Sequence, residues 1–333
     1  MKRILLICLA ILISLLAYSE SRAKRAYLPI DDLGNRCEVS EPQRIVSLAP
    51  NVTEMLFYLG YGDRVVGVSD YCDWPPEVAE LPTVGGLIDT SLEAVVALEP
   101  DLVIAYQGNS RELVEQLLAL DISVFCLNEA TSLHEVGQQM SRLDLIVSKP
   151  GETSASDFLY GGYTAKLDAF ELSLKQLTRT FYSLQTCDLE ATTRFTVFYG
   201  YPGEMIYTAG GDTFINDLIE RAGGLNCAWR LEGWPAVSAE FLLDANPDYI
   251  LTGTSCTADE DPEEVRTRLL AELKADKVWR NLDAVQAGRV IVIDADILNR
   301  PGPRLLDALM EFYRQLDPAN RPPHYNLLLE AGY

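Results

Sequence analysis

A fourteen-residue pattern occurs twice and limits what this chain can fold into. Ser91-Leu92-Glu93-Ala94-Val95-Val96-Ala97-Leu98-Glu99-Pro100-Asp101-Leu102-Val103-Ile104 is matched by Ser238-Ala239-Glu240-Phe241-Leu242-Leu243-Asp244-Ala245-Asn246-Pro247-Asp248-Tyr249-Ile250-Leu251. Serine, glutamate, proline and aspartate recur at the same offsets, and the apolar positions between them correspond. Each copy predicts a short helix stopped before a proline and followed by a buried strand. Two copies, one in each half, predict two similar lobes that each present a glutamate in the same place.

Strand and helix patterns alternate around both copies. Residues 44–50 read as a buried strand ended by proline, and Asn51, with Glu54 three positions on, as the N-cap of a helix through Leu59 closed by Gly60. Residues 65–68 and 124–127 read as strands, 112–120 and 132–147 as helices. In the second half 194–199 and 289–294 read as strands, 212–222 and 305–316 as helices, and the acidic stretch 259–264 as a solvated turn. Such alternation predicts mainly parallel sheets covered on both faces. Between the halves, Leu167, Phe170, Leu174, Leu177, Phe181 and Leu184 fall at spacings of three and four, which predicts an amphipathic helix over 160–185. A chain of 333 residues suits two domains. The expected fold class is therefore α/β, with two Rossmann-like lobes of mainly parallel sheet bridged by a long backbone helix. The expected boundaries are 24–150 for the N-terminal lobe, 151–190 for a linker with the bridging helix, and 191–333 for the C-terminal lobe.

Residues 1–23 stand apart from this pattern. Lys2 and Arg3 precede an apolar run over 4–17, and Ser21-Arg22-Ala23 offers small residues for cleavage after Ala23. That is the form of a secretory signal peptide, and a run of 14 residues is short against the ~20 of a spanning helix. Cys8 lies inside the run, not at its end, which argues against lipid modification. A periplasmic mature protein is expected. The formal charge of −22 argues against a nucleic-acid partner or electrostatic attachment to anionic lipid. Cys37, Cys72, Cys126, Cys187, Cys227 and Cys256 remain after cleavage. An oxidising compartment permits disulfides among them, whereas no CxxC occurs to suggest a zinc knuckle or a thioredoxin-type site.

Ligands of α/β sheets collect at the carboxyl ends of the strands. The loops placed there carry Tyr71 and Trp74, then Tyr106, and in the second half Tyr199, Tyr201, Trp234 and the segment from Asp296 to Arg300. Aromatic rings with a few polar groups suit a large, flat or bulky ligand. Arg300 has two readings, a binder of carboxylate or phosphate and an ordinary surface arginine. Glu93 also has a local reading, as the far end of a capping box begun by Thr90, and Glu240 as a first-turn acid favoured by the helix dipole. Equivalent glutamates in both halves favour docking on a partner with two basic sockets. Catalysis finds little support. There is no GxSxG or HExxH, and His134 and His324 are the only imidazoles.

With these motifs in hand, the chain resembles the class III periplasmic substrate-binding proteins of ABC importers, the cobalamin and iron-siderophore binding family. The likeness rests on residues 44–54, Tyr71-Cys72-Asp73-Trp74-Pro75-Pro76, 91–104, and Gly233-Trp234-Pro235 before Ser238, and covers roughly 28–318. It implies two α/β lobes bridged by a helix, one ligand held between them, and Glu93 and Glu240 as the docking glutamates that meet arginines of a dimeric permease. The chain is most similar to the cobalamin-binding branch, whose pocket positions fall on Tyr71, Tyr106, Tyr199, Trp234, Asp296 and Arg300. Leu87 and Ile297 stand where that branch has tryptophan, which leaves another corrinoid, a haem or a ferric siderophore open as cargo. A monomeric binding protein with no enzymatic activity and no resident cofactor is expected; Cys72 and the pocket tyrosines are candidate axial ligands of a bound metal centre by position alone, and no metal ligand is assigned. An extracytoplasmic sensor that feeds no transporter is the alternative of another class.

Overall fold

The structure is a computed structural model that describes residues 30–37, 39, 41–148, 170, 194–255 and 260–321. The signal peptide, Cys187, Cys256 and the expected bridging helix over 160–185 lie outside the described residues, apart from a buried helical Phe170. The chain forms two compact units.

The first unit contains β1 (Ile45–Ser47), α1 (Pro50–Leu59), β2 (Val65–Val68), α2 (Leu92–Ala97), β3 (Leu102–Tyr106), α3 (Arg111–Ala119) and β4 (Ser123–Leu127). The helix α4 (Leu133–Val147) counts with it from Met140 onward. Its sheet has the order β2-β1-β3-β4 and every pair is parallel. Ile45, Val46, Leu102, Val103 and Ile104 are fully buried in unbroken runs, as expected for strands covered on both faces. The start of α1 differs from the sequence reading. Ala49 is its N-cap and Pro50 occupies the first helical position, where the missing N–H costs no hydrogen bond, so Asn51 lies inside the helix. Gly60 closes it at φ 91°, as expected.

The second unit contains β5 (Thr196–Tyr199), β6 (Ile206–Tyr207), α5 (Phe214–Arg221), β7 (Leu225–Asn226), β8 (Ala236–Val237), α6 (Ala239–Ala245) and β9 (Tyr249–Thr254). It continues with α7 (Pro262–Ala275), α8 (Asp283–Gln286), β10 (Val290–Asp294), α9 (Ala295–Leu298) and α10 (Leu305–Gln315). The main sheet is parallel in the order β10-β9-β5-β7, and β6 pairs antiparallel with β8. Trp279, Phe198, Ile250, Leu269 and Val290 form one buried cluster of its core. The acidic stretch read as a turn instead opens α7: Asp261 is the N-cap, and Glu263 and Glu264 sit in the first turn, where the helix dipole favours them.

The two copies of the repeated pattern fold alike. Ser91 Oγ accepts from the Ala94 N–H at 3.2 Å, and Ser238 Oγ from the Phe241 N–H at 3.2 Å, so a serine caps each helix. This overturns Thr90 as the cap of α2; its hydroxyl donates instead to the Gly86 carbonyl at 2.6 Å. At the other end Glu99 and Asn246 both turn left-handed, with φ 45° and 32°, before the proline. The following aspartates then grip the neighbouring strand. Asp101 accepts from the Gln43 and Arg44 N–H groups at 2.7 and 3.0 Å, and Asp248 from the Thr196 N–H and hydroxyl at 2.7 and 2.9 Å. Each carboxylate thus ties the start of β3 to that of β1, or of β9 to β5.

Cys37, Cys72, Cys126 and Cys227 are not in disulfides. Burial pushes the Cys126 thiol up from 9.0 to about 12 and that of Cys227 to about 11, with Asp31 and Asp248 respectively adding repulsion.

Two measurements test this account. Asp248→Ala leaves the Thr196 N–H without its carboxylate partner and is expected to cost about 1–3 kcal/mol, read as a lower urea midpoint with an unchanged m-value. The thiols set an alkaline limit. Below pH 9.0 both folded and unfolded thiols are protonated; above it the unfolded chain releases protons first, so stability falls between pH 9.0 and about 12 for Cys126. Urea midpoints followed from pH 7.5 to about 10.5 should decline, and less steeply in Cys126→Ala.

Candidate functional site

In the first unit the aromatic residues stand at the carboxyl edge of the sheet. Tyr71 and Trp74 follow β2 and expose 62% and 45% of their surface. Tyr106 ends β3, and Leu87 lies half-buried in the loop before α2. One side chain knits these together: Asn109 Oδ1 accepts from the Tyr106 N–H at 2.7 Å, and its Nδ2 donates to the Leu87 carbonyl at 2.8 Å. Gly108 makes the approach feasible, because at φ 103° it bears no Cβ, and one there would lie 2.9 Å from Leu87 Cδ2. Cys72 turns inward. The Thr53 hydroxyl donates to its Sγ at 3.2 Å and Ser69 Oγ lies 3.2 Å away, so the thiol is part of the buried network under the Tyr71 loop.

In the second unit Tyr199 ends β5, Trp234 precedes β8, and Asp296 and Arg300 follow β10. Tyr199 donates to Asn299 Oδ1 at 2.8 Å, and its ring meets Trp234 edge-on at 6.0 Å between centroids. Trp234 in turn packs on Phe214 at 5.5 Å and donates from Nε1 to Glu129 at 3.2 Å. Burial pushes the Tyr199 phenol up to about 12, so it is a neutral donor at physiological pH. Arg300, read from sequence as a binder of anions or an ordinary surface arginine, stands in this arrangement against Asp296. Its Nη2 pairs with Asp296 Oδ1 at 2.7 Å, with only 15% of the arginine side chain exposed. A ligand anion at this guanidinium therefore competes with a carboxylate already in place. Ile297 lies half-buried between these two residues in sequence. Sequence reasoning missed Asn109, Asn299, Phe214 and Glu129, which hold the aromatic residues in place; nothing in their local patterns distinguishes them.

Glu93 and Glu240 are both the second residue of their capped helices, and both are exposed. The Glu240 carboxyl is held below its ordinary pKa by its own backbone N–H and then by the Ser238 hydroxyl. Leu87 and Trp234 each stand six residues before the glutamate, so the repeat equates these two positions as well. Among the described residues no three His, Cys, Asp or Glu side chains gather into a metal site.

A family model described as periplasmic binding protein matches residues 45–182 and 185–297. The chain belongs to this family. An uncharacterized ABC transporter substrate-binding lipoprotein of Bacillus subtilis is 30% identical over 307 residues, covering 90% of this chain and 89% of the relative. The crystal structure of the periplasmic vitamin B12 binding protein of Vibrio cholerae aligns with a TM-score of 0.63 at 26% identity, over 83% of this chain and 96% of that one. A periplasmic haem-binding protein of Pseudomonas aeruginosa aligns with a TM-score of 0.63 at 25% identity, over 81% and 91%. The two α/β units with parallel sheets are the two-lobe fold of this periplasmic binding protein family. Among the described residues no helix is long and apolar enough to cross a membrane.

Proposed function

We propose that this chain is the periplasmic substrate-binding component of an ABC importer, which captures a corrinoid or related metal chelate and delivers it to a dimeric permease in the inner membrane. The observation that carries this reading is the exposed glutamate at the second position of a serine-capped helix, repeated in both units beside an aromatic strand-end surface. Two equivalent carboxylates match two equivalent cationic sockets on a symmetric partner. The likeness to the Vibrio cholerae vitamin B12 binding protein supports a corrinoid as the cargo. In this reading Tyr71, Trp74, Leu87, Tyr106, Tyr199, Trp234, Asp296 and Arg300 are the ligand contacts. Haem is the second reading, supported by the likeness to the Pseudomonas aeruginosa protein and by the aliphatic Leu87 and Ile297.

In this reading the protein is a monomer released after Ala23 by signal peptidase, with lobes over 24–150 and 191–333 and the bridging helix within 151–190. It is a carrier and not an enzyme, and the metal chelate is cargo, with no resident cofactor.

Calorimetric titration of the mature protein with cyanocobalamin, haem and a ferric siderophore in parallel tests the cargo. One-to-one binding of cyanocobalamin is expected; binding of haem alone transfers the reading to haem, and silence from all three removes it. For docking, Glu93→Ala combined with Glu240→Ala is expected to cut uptake by about tenfold or more while leaving ligand affinity within about twofold. Unchanged uptake by the double variant would point to the sensor alternative.

A further inference from the structure

The second unit contains a cavity of about 240 Å³ that the strand-end residues discussed so far only border. It is lined by Tyr199, Tyr201, Met205, Tyr207, Thr252 and Gly253, among others. Below about 300 Å³ a pocket is too small for a whole ligand of this class and suits one appendage. Tyr201, Met205 and Tyr207 are exposed by 47%, 56% and 55%, so the mouth opens beside the Tyr199–Trp234 pair.

Thr252, another of the lining residues, is 2% exposed, and its Oγ1 is buried with no hydrogen-bond partner among the described residues. A buried hydroxyl without a partner costs stability, and such costs persist where the group serves a ligand. The electrostatics decide what that ligand group is. No lining residue carries a charge, and the nearest fixed charge in the hydrogen-bond network is negative: Tyr201 donates to Glu272 Oε2 at 2.9 Å. The lining itself offers an ionised carboxylate no cation: Glu272 holds the Tyr201 hydroxyl, and Arg268, whose charge also reaches that phenol, is paired with Glu260 at 2.9 Å.

We infer that this cavity receives a neutral hydrogen-bonding side arm of the ligand, of the carboxamide class, and that the Thr252 hydroxyl is its specificity-determining contact. The inference rests on the corrinoid reading above and sharpens it. Thr252 donates to the amide carbonyl or accepts from the amide N–H, either of which a single hydroxyl can do. The site thereby separates a macrocycle with amide arms from one with carboxylate arms.

The test is calorimetric titration of wild type, Thr252→Val and Thr252→Ser with cyanocobalamin and with its monocarboxylate derivatives, in which one peripheral amide is hydrolysed. Wild type is expected to bind cyanocobalamin and to bind at least one monocarboxylate about tenfold more weakly. Thr252→Val should weaken cyanocobalamin about fivefold while its urea midpoint in the free state stays equal or rises, since it removes an unpaired hydroxyl and keeps the shape. Thr252→Ser should restore the affinity. A purely structural hydroxyl would not combine unchanged or higher stability with weaker binding. Equal cyanocobalamin affinity in wild type and Thr252→Val, or no monocarboxylate discriminated, overturns the inference and leaves the corrinoid reading standing. Absence of cyanocobalamin binding to wild type overturns both, and is distinguished because it needs no variant.

Discussion

Two aspartates, Asp101 and Asp248, hold together what the rest of this protein relies on. A parallel sheet has no hairpin to fix the register of neighbouring strands, so each crossover must do so from a distance. Here one carboxylate at the end of each short helix takes the backbone N–H groups at the start of the adjacent strand. The carbonyls left over at the same corner are also met. Arg44 donates to those of Leu98 and Glu99, and Arg289 to that of Asp248. With the amino edge of each sheet pinned, the strands deliver Tyr106 and Tyr199 to the opposite edge at fixed heights.

The opposite edge has a different character from the protein as a whole. The chain carries a formal charge of −22, yet the groups at this edge of the second unit are largely neutral or held in hydrogen bonds and ion pairs, Glu129 by Trp234 and Glu272 by Tyr201. The Tyr199 phenol is protonated, Arg300 and Asp296 cancel, and the cavity beside them is lined without charge. Under the proposed function, recognition there would work through shape, ring contacts and placed dipoles, with the penalty for an unmatched charge doing the excluding.

Much of this was legible in the sequence, because the relevant forces are local. Unbroken apolar runs identify strands covered on both faces, Gly60 ends its helix, and the repeated pattern fixes two like lobes. The misreadings share a cause, which is that capping depends on geometry a few residues either side. Thr90 and Ser91 are both competent caps, and only the turn back to Gly86 decides between them. Pro50 was read as ending a strand when it begins a helix, since a proline at the first helical position and one after a strand look the same in one dimension. The acids at 261–264 resembled a solvated turn because first-turn acids and loop acids have the same composition. Side chains that act at a distance in sequence, such as Asn109 on Leu87 or Glu129 on Trp234, leave no pattern to read.

The six-residue interval from Leu87 to Glu93, and from Trp234 to Glu240, has a structural corollary. Within each interval a residue at the carboxyl edge and a first-turn glutamate are joined by one short stretch, a loop in one case and β8 with its flanks in the other, anchored to Asn109 and the Ser91 cap in the first and to Phe214 and the Ser238 cap in the second. Substitution at either end changes chemistry and leaves the spacing intact, as leucine in one copy and tryptophan in the other illustrate. Insertion or deletion moves both ends at once. Exchange of a side chain within either stretch at constant length therefore leaves the placement of the glutamates intact, whereas a change of length does not.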